Sequence, residues 1–372
     1  MNLINDQWIP VRRADGTTSK IAPWEITEDI HDDKRKIVSV ATPRPDFDGA
    51  LTQFLIGLLQ TACTPETEDA WWDWHDNFPK IEELQNRMVP FAASFELGGD
   101  VSRFMQDYQP AELTEILGIA ALLIESPGEN TIKENKDHFV KRGVIEQLCP
   151  FCAAMALFTL QLNAPSGGKG YRTGLRGGGP LTTLVMGENL WQNCWLNVLI
   201  KTNYISKKIV LKKHEEFKRF PWLSSILTGK DTYLDEVHPD HQFWAMPRRI
   251  YLIDENLSAS EICDLCGQET RRIYKQFKTK NYGINYMGVY EHPLSPHFIK
   301  DNEPNPIHPQ LGGLGYRHWL GIVESSQGKN AERRPARVIN QFRSLSRNDG
   351  NLWAFGYDMD NMKARCWYDA KM

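Results

Sequence analysis

The sequence carries CPFC at Cys149–Cys152 and CDLC at Cys263–Cys266, with 110 residues between the two pairs. Each CxxC is a short turn that aims two thiolates at one point. Two such turns make a closed tetrahedral four-thiolate site of the kind that suits zinc. Compact zinc ribbons separate their pairs by about 15–20 residues. Here the knuckles must meet through tertiary structure, so any fold of this chain has to bring residue 150 beside residue 264. A structural zinc ion held by Cys149, Cys152, Cys263 and Cys266 is the expectation. A redox CxxC and two unrelated reduced pairs are the alternatives. A closed site leaves no position for water, so no catalysis is assigned to the metal. Seven cysteines in 372 residues do not make a disulfide scaffold. Cys63, Cys194 and Cys366 are expected to pack as small apolar side chains.

Between the knuckles lies NAPSGGKGYRTGLRGGGP, residues 163–180, in which seven of the fourteen residues from Ser166 to Gly179 are glycine. It is not a phosphate loop of the G-x-x-x-x-G-K-[ST] kind, because Lys169 is followed by Gly170. It is not a dinucleotide fingerprint either: Gly168 and Gly170 are followed by Thr173, and the segment follows a helix instead of opening one. Glycine lets a backbone approach a partner with no Cβ in the way, and the nearby Arg172 and Arg176 can reach phosphate. A thin backbone edge with positive flanks fits the minor groove of a duplex. A purely structural glycine turn is the alternative.

Charge is distributed unevenly about this loop. Residues 1–165 carry 14 basic and 26 acidic side chains, and residues 166–372 carry 29 and 21. A basic half can attract a polyanion although the whole chain is at −4. After Cys266, RRIYKQFKTKNY interleaves Arg271, Arg272, Lys275, Lys278 and Lys280 with Tyr274, Phe277 and Tyr282. That pattern suits a nucleic-acid surface or a solvated strand. No Ser/His/Asp order, HExxH or paired-carboxylate signature is apparent, and His292 and His297 look structural.

The hydrophobic pattern predicts an α+β protein in a single mixed body spanning 1–372. NLINDQWIPV reads as a strand. Asp48–Ala62, the segment from Ala111, CAAMALFTLQLN and NLWQNCWLNVLIKT read as helices. Trp71, Trp72 and Trp74 read as core packing. PLTTLVMG and RVINQFRSL read as strands, KDNEPNPIHPQ as a loop, and NLWAFGYDMDNMKARCWYD (351–369) as a hairpin turning at DMDN. The polar stretch from Glu125 to Gly143 reads as a long loop or a partly disordered segment. The longest apolar run, Ile116–Ile124, is too short to span a bilayer. No basic-then-apolar signal opens the chain, so a cytoplasmic protein with no membrane partner is expected.

Taken together, these segments resemble CasA, the large-subunit family of the type I-E CRISPR surveillance complex Cascade. The resemblance rests on NLINDQWIPV, LCPFCAAMALF, APSGGKGYRTGLRGGGPLTT, CDLCGQE, EHPLSP, VINQFR and GYDMDNMKARCW, in order from residue 2 to about residue 368. It implies a mixed α/β body, often with zinc on the four CxxC cysteines. It implies a motif-reading loop at Ser166, Gly167, Gly168, Lys169 and Gly170, where Lys169 departs from the more purely glycine form. A lysine finger is implied at Lys280 or Lys278, since spacing alone falls on Asn281. The resemblance further implies a wedge at Asp360 and Asn361 in a hairpin over 351–368. It implies a contact to the guide and a neighbouring subunit at Phe139, Val140, Lys141 and Arg142. The family normally continues into a C-terminal four-helix bundle; this sequence stops at Met372, so a body lacking that bundle is expected.

The implied function is non-catalytic: recognition of a protospacer-adjacent motif in double-stranded target DNA, then strand separation so that CRISPR RNA can pair. Other Cascade subunits and a helicase–nuclease are the implied partners. A zinc-knuckle nucleotide-using enzyme and a purely structural assembly protein are the rival readings.

Overall fold

The structure is a computed structural model. It describes residues 1–99, 103–128, 132–134, 143–205, 219–226, 230–233, 236–287, 291–301, 303–314, 318–327, 332–345, 350–360 and 363–372.

The interior is organised by two long helices. Pro45–Cys63 starts with proline at its first turn, where the missing amide hydrogen is no loss, and carries Asp46 and Asp48 at its positive end. Its middle is apolar on every side, and from Asp46 to Gln60 every residue except Asp48 is buried. Pro150–Asn163 is likewise apolar all round and begins at the first CxxC. A helix without a polar face has to be enclosed, and the rest of the chain encloses these two. Phe54 meets Trp8, Phe95, Phe104, Phe158 and Trp244 edge-on, at centroid separations of 5.5–6.0 Å. The tryptophan cluster packs as core: Trp71, on the helix Glu68–Asn77, is fully buried, and Trp74 lies 5.1 Å from Trp195.

Among the described residues, four antiparallel sheets and one parallel pair surround the helices. Ile9–Arg13 is the middle strand between Thr18–Ile21 and Ile37–Val40. The hairpin Arg249–Ile262 and Glu269–Lys280 takes Glu115–Gly118 on its outer edge. The C-terminal hairpin Asn351–Asp360 and Lys363–Lys371 takes Thr182–Met186 as its third strand. The remaining sheet is Glu303–Pro306, His297–Lys300, Glu332–Arg334 and Ser326–Gln327, and the parallel pair is Asp231–Tyr233 with Asn285–Met287. This is a mixed α/β body, and no helix among the described residues is long and apolar enough to cross a membrane.

Several local expectations are corrected. The segment from Ala111 is a strand and a 3-10 turn, because Glu115–Gly118 completes a sheet edge beside Gln276–Thr279. RVINQFRSL is the helix Arg337–Leu345: Val338, Ile339, Phe342 and Leu345 recur at helical spacing, which outweighs their branching. Glu303–Pro306 is a strand despite its prolines, which are tolerated on a sheet edge. The first strand begins at Ile9, so only the last three residues of NLINDQWIPV belong to it. NLWQNCWLNVLIKT forms two short helices, Leu190–Trp195 and Lys201–Tyr204. Cys63 and Cys194 are buried as expected, whereas Cys366 is exposed on the last strand.

Candidate nucleic-acid interface and metal centre

The four CxxC cysteines meet. Their sulfurs all lie within 4.8 Å of one another, with Cys149 Sγ and Cys266 Sγ 3.7 Å apart. Tetrahedral zinc with Zn–S near 2.3 Å puts its sulfurs about 3.8 Å apart, so the donor set and its spacing fit a metal ion. The knuckles are tied together independently. Asp264 accepts from the amides of Glu146 and Gln147 at 2.7 and 2.8 Å, and its own amide donates to the Gln147 carbonyl. Hydrogen bonding among the four thiols draws Cys263 and Cys266 down toward the thiolate form and pushes Cys149 and Cys152 up.

From this cluster two elements run to the glycine loop. The helix from Cys149 to Ala164 advances about 22 Å at 1.5 Å per residue. The strand leaves the second knuckle, bridges Leu148 at Tyr274 and ends at Lys280. From Tyr274 to Asn281 it advances about 23 Å. The matched lengths bring both ends to one place.

There the loop divides into two parts. Ser166, Gly167, Gly168 and Lys169 are exposed. Their flanks are braced. Arg248 Nη2 donates to the Pro165 carbonyl and its guanidinium stacks 4.5 Å from the Tyr171 ring. Asn281 Nδ2 donates to the Lys169 carbonyl at 3.1 Å, and the Tyr282 amide donates to the Gly170 carbonyl at 2.8 Å. Gly170 has φ +82, and a Cβ there would come within 2.9 Å of Asn281 Cβ. The second part, Gly174 to Gly179, is folded inward. The amides of Gly174 and Gly179 donate to Ala164 and Asn163 carbonyls, and His308 Nδ1 meets the Gly178 carbonyl at 3.0 Å. A Cβ on Gly179 would fall 2.8 Å from both Tyr357 Cβ and Met359 Cε. Gly174, Gly177, Gly178 and Gly179 therefore serve packing, Gly170 is braced, and Gly167 and Gly168 present backbone to solvent.

The two arginines of the loop separate in the same way. Arg172 lies 5.8 Å over the Tyr282 ring, with Nε buried and unpartnered. Arg176 departs from the expectation of a phosphate contact. It is buried, donating from Nη1 to Thr182 Oγ1 and Ser295 Oγ and from Nη2 to Gln53 Oε1, and burial pushes its pKa down. Its guanidinium is an internal strut.

Lys278 and Lys280 lie on one face of the strand beside the loop, both half-buried. Asp360 is exposed at the hairpin end, 3.4 Å from Arg365 Nη1, and Arg365 also grips the buried Asp358. Asn361, and Phe139, Val140, Lys141 and Arg142, fall outside the described residues. Farther back the hairpin is anchored by Tyr357, whose hydroxyl donates to Asp46; Arg44 pairs with that carboxylate at 2.9 Å. Arg248 was missed by sequence reasoning, and Asn281 and Tyr282, singled out there on other grounds, were not foreseen as braces of the loop. The doubled Arg248–Arg249 at a strand start was a usable signal, since alternation sends one cation inward.

The family model described as CRISPR-associated protein Cse1 matches residues 2–372. Among solved structures, all of this chain superposes on 75% of Thermus thermophilus CasA (Cse1), with TM-score 0.66 and 16% identity. It superposes on 70% of Cse1 from Acidimicrobium ferrooxidans, with TM-score 0.71 and 16% identity. It also superposes on 76% of a chain in a structure described as a CRISPR RNA-guided surveillance complex, with TM-score 0.72 and 13% identity. At these identities the structural likeness establishes a shared fold.

Proposed function

The chain belongs to the CRISPR-associated Cse1 (CasA) family, and on that premise we propose that it is a non-catalytic subunit of an RNA-guided surveillance complex. In this reading it tests duplex DNA for a protospacer-adjacent motif and starts strand separation. Residues 1–372 act as one body, and zinc on Cys149, Cys152, Cys263 and Cys266 pins the far ends of the two elements that carry the loop. Ser166–Gly170 enter the minor groove, where backbone amides face the acceptors on its floor. Lys169 and Arg172 engage the flanking phosphates, and Lys280, with Lys278 behind it, acts as the finger.

The hairpin end, Asp360 and Asn361, then enters the opened duplex. Its acidic character repels phosphate, so it acts by shape, as inserted wedges do. Guide RNA pairs with the exposed strand and supplies the remaining sequence choice. Phe139–Arg142 hold the guide end and the neighbouring subunit, and a helicase–nuclease is recruited to the opened complex.

The observation that carries this reading is the loop itself: four exposed residues, half of them glycine, held between two braced ends. The test replaces Ser166–Lys169 with a serine–alanine segment in the assembled complex and measures affinity for duplexes that differ only in the flanking motif. Discrimination should fall about tenfold or more, the scale of one lost base-pair readout, with assembly unchanged by gel filtration. Unchanged discrimination would remove the reading and leave an assembly protein.

A further inference from the structure

Arg249 and Lys280 face each other across the antiparallel pair Arg249–Ile262 and Glu269–Lys280. Like charges directly opposite in a ladder repel, so an anion is needed where they meet. Arg249 has a fully buried side chain, held by Asp107 at 2.6 Å and by Glu112 Oε2 at 3.0 Å. The same Glu112 oxygen lies 3.9 Å from Lys280 Nζ. Glu112 ends the 3-10 turn Pro110–Glu112, and three residues on the chain becomes the edge strand that pairs Glu115 with Thr279. Its carboxylate is thus placed by the sheet that carries Lys280. The residue after Lys280 is Asn281, which holds the presented loop at Lys169.

We propose that Glu112 is a positioning residue that sets specificity for duplex DNA. This rests on the function proposed above and adds a control to it. A free lysine beside the loop would attract any phosphate and raise binding to every sequence. Tethered to Glu112, Lys280 is held at the root of the loop with its charge partly offset. The contact is long, and its side chains are 38% and 42% exposed; such pairs are weak, so a phosphate can take the lysine over. That exchange occurs only on a duplex that the loop has already seated.

The test uses the assembled complex, with a motif-bearing and a motif-less duplex of equal length, titrated over a range of salt. Glu112→Gln should tighten binding to the motif-less duplex about 3- to 5-fold at low salt, steepen the salt dependence, and narrow the ratio between the two duplexes. Glu112→Asp, which keeps the charge, should restore most of that ratio. In a Lys280→Ala background Glu112→Gln should add nothing. An equal gain in that background makes the effect general electrostatics and overturns the proposal. So does an unchanged ratio in Glu112→Gln whose melting temperature matches the unsubstituted protein. If the unsubstituted complex itself fails to separate the two duplexes, the function reading is what fails. If it separates them and Lys280→Ala changes nothing, the loop reading stands and the role of Glu112 is gone.

Discussion

The amide of Tyr282 donates to the carbonyl of Gly170 at 2.8 Å. One hydrogen bond thus joins the last residue of the presented loop to the strand leaving the second cysteine knuckle. The loop is thereby tied to the segment that follows the strand from the cysteine cluster.

Alanine at Gly170 and at Gly168 should therefore behave differently. Both glycines have positive φ, +82 and +124, and a side chain there is strained by about 1–3 kcal/mol. Only at Gly170 does the new methyl also strike Asn281 and Tyr282. Gly170→Ala should lose more stability in chemical denaturation and release the brace, whereas Gly168→Ala meets open space.

Loss of one sulfur should be felt at the far end of the rods. Cys152→Ser should reduce bound metal from about one ion per chain, measured by elemental analysis, and lower the melting temperature. Motif discrimination should fall as well, although the cluster lies about 20 Å along the helix from the loop. Metal loss with discrimination intact would uncouple the two.

Arg176 and Arg172 should separate stability from binding. Arg176→Met removes three buried hydrogen bonds and should cost about 3 kcal/mol, with the salt dependence of duplex binding unchanged. Arg172→Met should leave stability nearly intact and flatten that salt dependence by about one unit of slope.

Asp240 should leave a signature in stability against pH. It is buried beside Tyr204, Arg219 and His238, and burial raises its pKa from 3.8 to about 6. Between those values the folded chain binds more protons than the unfolded one, so stability falls as pH rises from about 4 to 6. The contribution is full below 3.8 and gone above 6, on the order of 3 kcal/mol. Asp240→Asn should lose that slope, visible as the difference between the two denaturation profiles.

The cysteine cluster, the two long helices and the C-terminal hairpin were legible because each has a local cause: ligand spacing, continuous apolar sequence, and strand character on both sides of a polar turn. The misread elements have non-local causes. Glu115–Gly118 is a strand because another strand waits beside it, and Glu303–Pro306 because its edge needs no amide on one side. Arg176 looked like a phosphate ligand because sequence shows a cation among glycines and cannot show Gln53, Thr182 and Ser295 converging on it. The bracing roles of Arg248 and Asn281 join residues 83 and 112 positions apart, a relation no short window contains.

The division of the glycine segment bears on how such a protein could change its target. Residues 174–179 are locked to the helix end, to His308 and to the hairpin, so substitutions there unsettle the frame. Residues 166–169 touch little of it. On the proposed function, a lineage shifting to a different flanking sequence can vary Ser166, Gly167 and Lys169, with Gly168 held by its positive φ, and a new preference can arise without rebuilding the scaffold that displays it.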